Sequence, residues 1–239
     1  PDAIADARAY GWDVTAGAFD WPRFRTALAA ELDRLEAAYR ATLARAGVAT
    51  HDTRATIVDP HTVRLADGGT VSARHILIAT GGRPFVPDFP GADLAITSDA
   101  VFDLPTLPRR LLIVGGGYIA SEFACIFRGL GSGVTLAYRG AAILRGFDDE
   151  ARGHVAQAMR AQGIDICTGT AILALERAAG GIRASLTDGT DAVFDAVLYA
   201  TGRVPNTAGL GLEALGIAPD RRGAVPVDGW SQTAVPSVW

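Results

Sequence analysis

The chain has 239 residues, 49% of them hydrophobic, and carries a formal net charge of −4 with a pI near 5.5. That length and apolar content can bury a sizeable core and imply more than one domain. The acidic balance argues against nucleic acid or an anionic membrane as partner, and the longest run without a charged residue, 11 residues, is too short to span a bilayer.

The first strong pattern is a helix between Asp20 and Gly47. Trp21, Phe24, Leu28, Leu32, Leu35, Tyr39 and Leu43 recur at spacings of three and four and form one apolar stripe. Asp20 suits the N-cap, Pro22 the first turn and Gly47 the C-cap. Next, LADGGTVSARHILIATGGRP, starting at Leu65, reads as a hairpin turn at Asp67-Gly68, an apolar strand and a polar exit at Thr80-Gly81.

RLLIVG (110–115) then reads as a buried strand, YIASEFACIFRGL (118–130) as a helix and VTLAY (134–138) as a second buried strand. Gly115, Gly117 and Ala120 therefore hold the three positions of G-x-G-x-x-G/A inside a βαβ unit. Gly115 permits the tight turn, Gly117 the approach of backbone to a pyrophosphate, and Ala120 the close packing of helix on strand. The helix N-terminus adds unpaired N–H groups and the positive end of its dipole.

The residues after the second strand select the dinucleotide. An NAD site places an acid there for the ribose 2′-OH. Here Tyr138 stands in that place, followed by Arg139 and, six residues on, Arg145. Two guanidiniums suit a 2′-phosphate through charge-assisted bonds, so the pattern favours NADP(H). The alternative is a pair of solvated loop arginines in a chain whose 22 basic residues are all Arg.

LTDGTDAVFDAVLYATGRVP, starting at Leu186, repeats the earlier pattern at an offset of 121 residues, with Leu186, Asp188, Gly189, Ala200, Thr201 and Gly202 falling on Leu65, Asp67, Gly68, Ala79, Thr80 and Gly81. The same kind of domain is expected twice. The offset carries the first copy's fingerprint ahead of residue 1, so the sequence predicts an internal fragment with an incomplete first domain. Cys125 and Cys167 lie in apolar patterns and read as reduced core thiols of an intracellular protein, not as a disulfide or metal site.

Together these motifs resemble the glutathione reductase branch of the pyridine nucleotide–disulfide oxidoreductases. The likeness runs through nearly the whole chain, in YGW (10–12), FDW (19–21), PHTV (60–63), ILIATGGRP (76–84), ITSD (96–99), GGGYIASEFA (115–124), YRGAAILRGFD (138–148) and ATGRVPNT (200–207). It implies an α/β fold of tandem Rossmann-like FAD- and NAD(P)-binding domains, each of three ββα layers. Residues 1–104 would be a partial FAD-binding domain, 105–205 the NADPH-binding domain, and 206–239 the return to the FAD domain. It also implies FAD and NADPH as cofactors, glutathione disulfide as substrate, a cytoplasmic homodimer and no metal. In such enzymes NADPH reduces FAD, FAD reduces a cysteine pair, and the dithiol reduces a bound disulfide.

The resemblance carries roles onto matching positions. Tyr118 matches the aromatic lid over the flavin, and Glu122 a carboxylate that pairs with a Lys beside it, although this chain has no Lys. Gly116, Ile119 and Gly202 match NADPH-contacting backbone, and Arg203 an Arg near the nicotinamide–flavin junction. Ala55, Thr80 and Gly81 match FAD contacts, and Tyr39 the Tyr that touches the disulfide substrate. The pattern departs from the family in lacking a C-x4-C redox pair and the downstream His. Two other readings stay open: a reductase of trypanothione or another small disulfide, and a free-standing NADP-binding module.

Overall fold

Five apolar segments line up as one parallel sheet, in the order Ile96–Thr97, Ala196–Tyr199, Arg110–Val114, Gly133–Tyr138 and Asp165–Thr168. The computed structural model that contains it describes residues 2–15 and 17–239. The chain divides into two units, one of residues up to Leu32 with Pro84–Gly202, the other of Asp33–Arg83 with Arg203–Trp239.

The parallel sheet organises the first unit. Its strands are near-continuous apolar runs because both faces are covered. Leu111, Ile113, Val134, Leu136, Ile166 and Leu198 face one cluster, to which Ala120, Ala124 and Phe127 of the helix Tyr118–Gly129 and Met159 of the helix Asp149–Ala161 contribute. Leu112, Val114, Ala137, Val197 and Tyr199 face a second cluster with Leu175, Ala184, Leu186 and Phe194. Those last four lie in an antiparallel sheet of Ile172–Ala178, Gly181–Leu186 and Asp191–Phe194. The layers are thus helix, parallel sheet and antiparallel sheet, the expected ββα arrangement.

At the start of the sheet, Asp195 accepts from the backbone N–H of Arg109 and Arg110 at 2.8 and 2.9 Å and from the Arg110 guanidinium at 2.7 Å. Burial pushes the Asp195 carboxyl up, but the Arg110 hydrogen bonds and charge outweigh it and hold the net value below the ordinary one.

The second unit repeats part of this plan. Ala55–Asp59, Thr62–Leu65 and Thr70–Ser72 form a three-stranded antiparallel sheet. Its turn and that of the first unit match bond for bond: Leu65 N–H donates to Gly69 O and Leu186 N–H to Thr190 O, while Asp67 accepts from Gly69 N–H and Asp188 from Thr190 N–H. Gly68 and Gly189 take φ of 91° and 88°. A further pair was not read from the sequence. Gly91 and Gly211, both at φ 79°, cap short 3₁₀ turns, and each packs so tightly on a strand carbonyl (Leu175 and Ile57) that a Cβ would collide.

Two expectations fail locally. The second-copy strand forms at Ala196–Tyr199, but the first-copy strand at 76–80 does not form a full ladder. Ile76 and Ile78 bond only with Ser237 and Trp239, a single bridge is made, and Leu77 is 73% exposed. A strand needs neighbours to bury its side chains, and here the described residues supply pairing through this one short segment. Cys125 is also no core thiol: Ala120, Ser121, Ala124 and Phe127 take the buried side of its helix, which turns Cys125 outward.

The long helix spans Trp21–Arg45 with the predicted caps. Asp20 Oδ1 accepts from Arg23 N–H at 2.9 Å, and Gly47, at φ 69°, ends it with Val48 N–H returning to Leu43 O. The apolar stripe is buried only at its start. Trp21 packs on Phe24 and Phe127 and donates from Nε1 to Leu104 O at 2.7 Å, whereas Leu32, Leu35, Tyr39 and Leu43 are exposed.

Candidate functional site

The glycine turn sits where the strand Arg110–Val114 meets the helix Tyr118–Gly129. Gly115 has φ 142° and donates its N–H to Ala137 O at 2.9 Å. A Cβ there would run into the Ala200 carbonyl, so conformation and space both demand glycine. Gly117 differs. Its φ of −88° suits any residue, and nothing lies within 4 Å of where its Cβ would point. That open space borders the first turn of the helix, whose N–H groups lack intrahelical partners. A pyrophosphate fits this cradle, and a side chain at 117 would fill it. Ala120 is fully buried against the sheet and Ile119 is half-buried.

The arginine loop is tied to this turn. Leu144 N–H donates to Gly116 O at 2.5 Å, with Leu144 itself held at φ 56°. Thr170 N–H donates to Tyr138 O and Gly169 N–H to Gly140 O, both at 3.0 Å. Arg152 reaches across from its helix to donate to Ile143 O at 2.8 Å and Ala142 O at 3.0 Å, and pairs with Asp149. Arg139 and Arg145 are exposed, and among the described residues neither guanidinium enters a hydrogen bond or ion pair. Three arginines thus divide the work: Arg152 holds the loop, while Arg139 and Arg145 remain available to an anion. The bracing role of Arg152 has no local sequence signal, because its acceptors are loop carbonyls fixed only by the fold.

Tyr118, 57% exposed, stands at the mouth of the turn, with exposed Glu122 one helical turn further. Gly202, at φ 124°, follows the strand Ala196–Tyr199, and its carbonyl accepts from Phe85 N–H. The first unit therefore gathers Gly115–Ala120, Glu122, Arg139, Arg145 and Gly202. The second holds the other named positions. Ala55, Thr80 and Gly81 are exposed, Gly81 O accepts from Asn206 N–H, and Arg203 donates to Gly82 O. Tyr39 is 72% exposed.

The Cys167 thiol is not poised for attack. Burial and the Asp165 carboxylate push Cys167 up to about 11, the reverse of what an attacking thiolate needs. Burial likewise pushes the Tyr199 hydroxyl up. Among the described residues no cluster of three or more His, Cys, Asp or Glu is placed to hold a metal, and no helix is long and apolar enough to cross a membrane.

A glycine turn on a helix N-terminus, a braced arginine loop and ββα layers define a dinucleotide-binding protein of Rossmann-like fold. The chain belongs to the pyridine nucleotide-disulphide oxidoreductase family, whose pattern it matches over residues 6–239. It is 47% identical over 234 residues to a glutathione reductase of Burkholderia cepacia, covering 98% of this chain and 52% of that protein. It is 46% identical over 236 residues to the chloroplastic/mitochondrial glutathione reductase of Pisum sativum, covering 98% of this chain and 43% of that protein. Among solved structures, the HOCl-induced flavoprotein disulfide reductase RclA from Escherichia coli superposes with a TM-score of 0.87 at 28% identity, covering 99% of this chain and 53% of that one. The chain spans about half the length of the curated relatives it matches.

Proposed function

We propose that this chain supplies the NADPH-binding part of a flavoprotein disulfide reductase whose substrate is glutathione disulfide. The observation that carries the coenzyme assignment is the hydrogen bond from Leu144 N–H to Gly116 O, which fixes the arginine loop to the dinucleotide turn. The glutathione reductases of B. cepacia and P. sativum, at 47% and 46% identity, support the substrate. Residues 105–205 are the NADPH domain in this reading, and 1–104 with 206–239 belong to the FAD domain. The cytoplasmic homodimer implied by the resemblance belongs to the same proposal.

When bound, NADPH supplies a hydride that FAD accepts and passes on, as an electron pair, towards a disulfide. The chain's own residues bind and orient. Backbone N–H groups at 117–120 would meet the pyrophosphate, while Gly116, Ile119 and Gly202 would contact NADPH through their backbone. Arg139 and Arg145 hold the 2′-phosphate, where each charge-assisted bond is worth about 1.5–3 kcal/mol. Tyr118 would serve as an aromatic lid for a bound cofactor, Glu122 would supply a carboxylate on the first unit, and Arg203 a guanidinium on the second. Ala55, Thr80 and Gly81 contact FAD, and Tyr39 the disulfide. The test is Arg139→Met and Arg145→Met, with affinities measured for both coenzymes. NADPH binding should weaken roughly ten- to a hundredfold with NADH nearly unchanged; equal losses would refute the clamp.

A further inference from the structure

Two glycines in the arginine loop region are small for a reason that their backbones do not supply. Neither Gly116 nor Gly140 has a positive φ. Both instead face the Tyr138 ring. A Cβ at Gly116 would overlap the ring carbons, and one at Gly140 would sit 2.7 Å from Cζ and 2.9 Å from the hydroxyl oxygen. The ring therefore lies against both the dinucleotide turn and the residue after Arg139. It is half-buried and packs on the core cluster of the helix face.

We propose that Tyr138 is a specificity-determining positioning residue: its ring, packed against both Gly116 and Gly140, holds the Arg139–Arg145 loop in the geometry that distinguishes NADPH from NADH. This rests on the NADPH reading above. Tyr138 ends the strand Gly133–Tyr138, so its backbone direction fixes where Arg139 leaves the sheet. Beyond it the chain runs through Gly140, two alanines and Gly146, and its side-chain anchors are Ile143, buried in the core cluster, and Leu144 packed against that cluster. The hydrogen-bonded braces are Leu144 to Gly116, Thr170 to Tyr138, Gly169 to Gly140, and the Arg152 bonds to residues 142 and 143. Leu144 at φ 56° is a strained, non-glycine conformation that persists only where its surroundings over-determine it. Removing the ring leaves two glycines facing a gap, and the loop then gains freedom that a 2′-phosphate must remove on binding. NADH, which has no group for the arginines, does not incur that cost.

The ring also replaces the acid that an NAD site carries at this position. Its hydroxyl has no hydrogen-bond partner among the described residues, so the ring and not the hydroxyl is the functional part.

The experiment measures NADPH and NADH dissociation constants and melting temperature for the full chain and for Tyr138→Phe, Tyr138→Ala, Gly140→Ala and Arg139→Met. Tyr138→Phe should keep the NADPH:NADH affinity ratio within about twofold. Tyr138→Ala should lower the ratio about tenfold, through NADPH alone, and should add little once Arg139→Met is present. Gly140→Ala pushes on the far end of the ring, at Cζ and the hydroxyl, and should lower the ratio too, which keeps the test intact if Tyr138→Ala fails to fold. A purely structural role would lower melting temperature and weaken both coenzymes together, and that result overturns the proposal. If the parent chain prefers NADPH and Arg139→Met abolishes the preference, yet Tyr138→Ala and Gly140→Ala retain it, this inference fails and the NADPH reading stands. If the parent chain shows no preference, both fail.

Discussion

Gly115 and Gly117 stand two residues apart in one motif, yet substitution should separate stability from binding. At Gly115 a methyl group meets the Ala200 carbonyl and the backbone sits at φ 142°. A non-glycine residue in such a conformation costs about 1–3 kcal/mol, and relieving the collision costs about as much again. Gly115→Ala should thus destabilise by roughly 2–6 kcal/mol; at about 2–4 °C per kcal/mol for a chain of this size, melting should drop by at least ~4 °C. Gly117→Ser meets neither obstacle, because φ is −88° and the space is open. Serine is also a better N-cap than alanine and at least matches glycine, so stability should hold within about 0.5 kcal/mol. Its hydroxyl, however, fills the cradle and competes for the N–H groups that meet a pyrophosphate. Losing one such charge-assisted bond costs about 1.5–3 kcal/mol, a roughly ten- to hundredfold weaker NADPH affinity. Scanning fluorimetry and titration calorimetry on both variants decide the matter. If Gly117→Ser binds NADPH as tightly as the parent, the cradle assignment is wrong.

Other outcomes follow from the same structure. The Asp195 carboxyl is held below its ordinary value by Arg110, so its contribution is present above the unfolded pKa near 3.8 and disappears as pH falls through the folded value. Asp195→Asn should lower melting temperature at pH 7 and flatten its decline between about pH 5 and 3; an unchanged acid profile would deny Asp195 that role. Trp21→Ala removes a buried ring and orphans the Leu104 carbonyl, and should cost about 3–5 kcal/mol, whereas Trp21→Phe keeps the ring contacts and should cost about 1–3. Equal melting temperatures for the two variants would contradict that packing. Iodoacetamide should label exposed Cys125 first, and labelling of Cys167 should rise about tenfold per pH unit up to about 11. Mass spectrometry showing Cys167 labelled first at pH 7 would contradict its environment.

Much of the first unit was legible in sequence because its signals are local. Buried strands read as continuous apolar runs, the fingerprint sits at a fixed spacing, and Asp-Gly turns recur at Asp67 and Asp188. The strand at 76–80 was legible as a pattern, but its pairing depends on neighbours that no local pattern shows. The stripe from Trp21 to Leu43 gave the helix but not the exposure of Leu32, Leu35, Tyr39 and Leu43, since periodicity reports which side is apolar and not what covers it. Arg139 and Arg145 could be named from residue type alone. The Leu144–Gly116 tie, the Arg152 bonds and the contact of Tyr138 with Gly116 could not, because each joins residues 9 to 28 positions apart through backbone atoms or a glycine surface.

The central claim is that Arg139 and Arg145 recognise a 2′-phosphate. The most direct measurement is calorimetric titration of the chain with 2′,5′-ADP and, separately, with 5′-AMP, which lacks only that phosphate. The account predicts that 2′,5′-ADP binds at least about tenfold more tightly, corresponding to about 1.4 kcal/mol, and that the advantage shrinks as salt is raised. Equal affinities for the two ligands would contradict it.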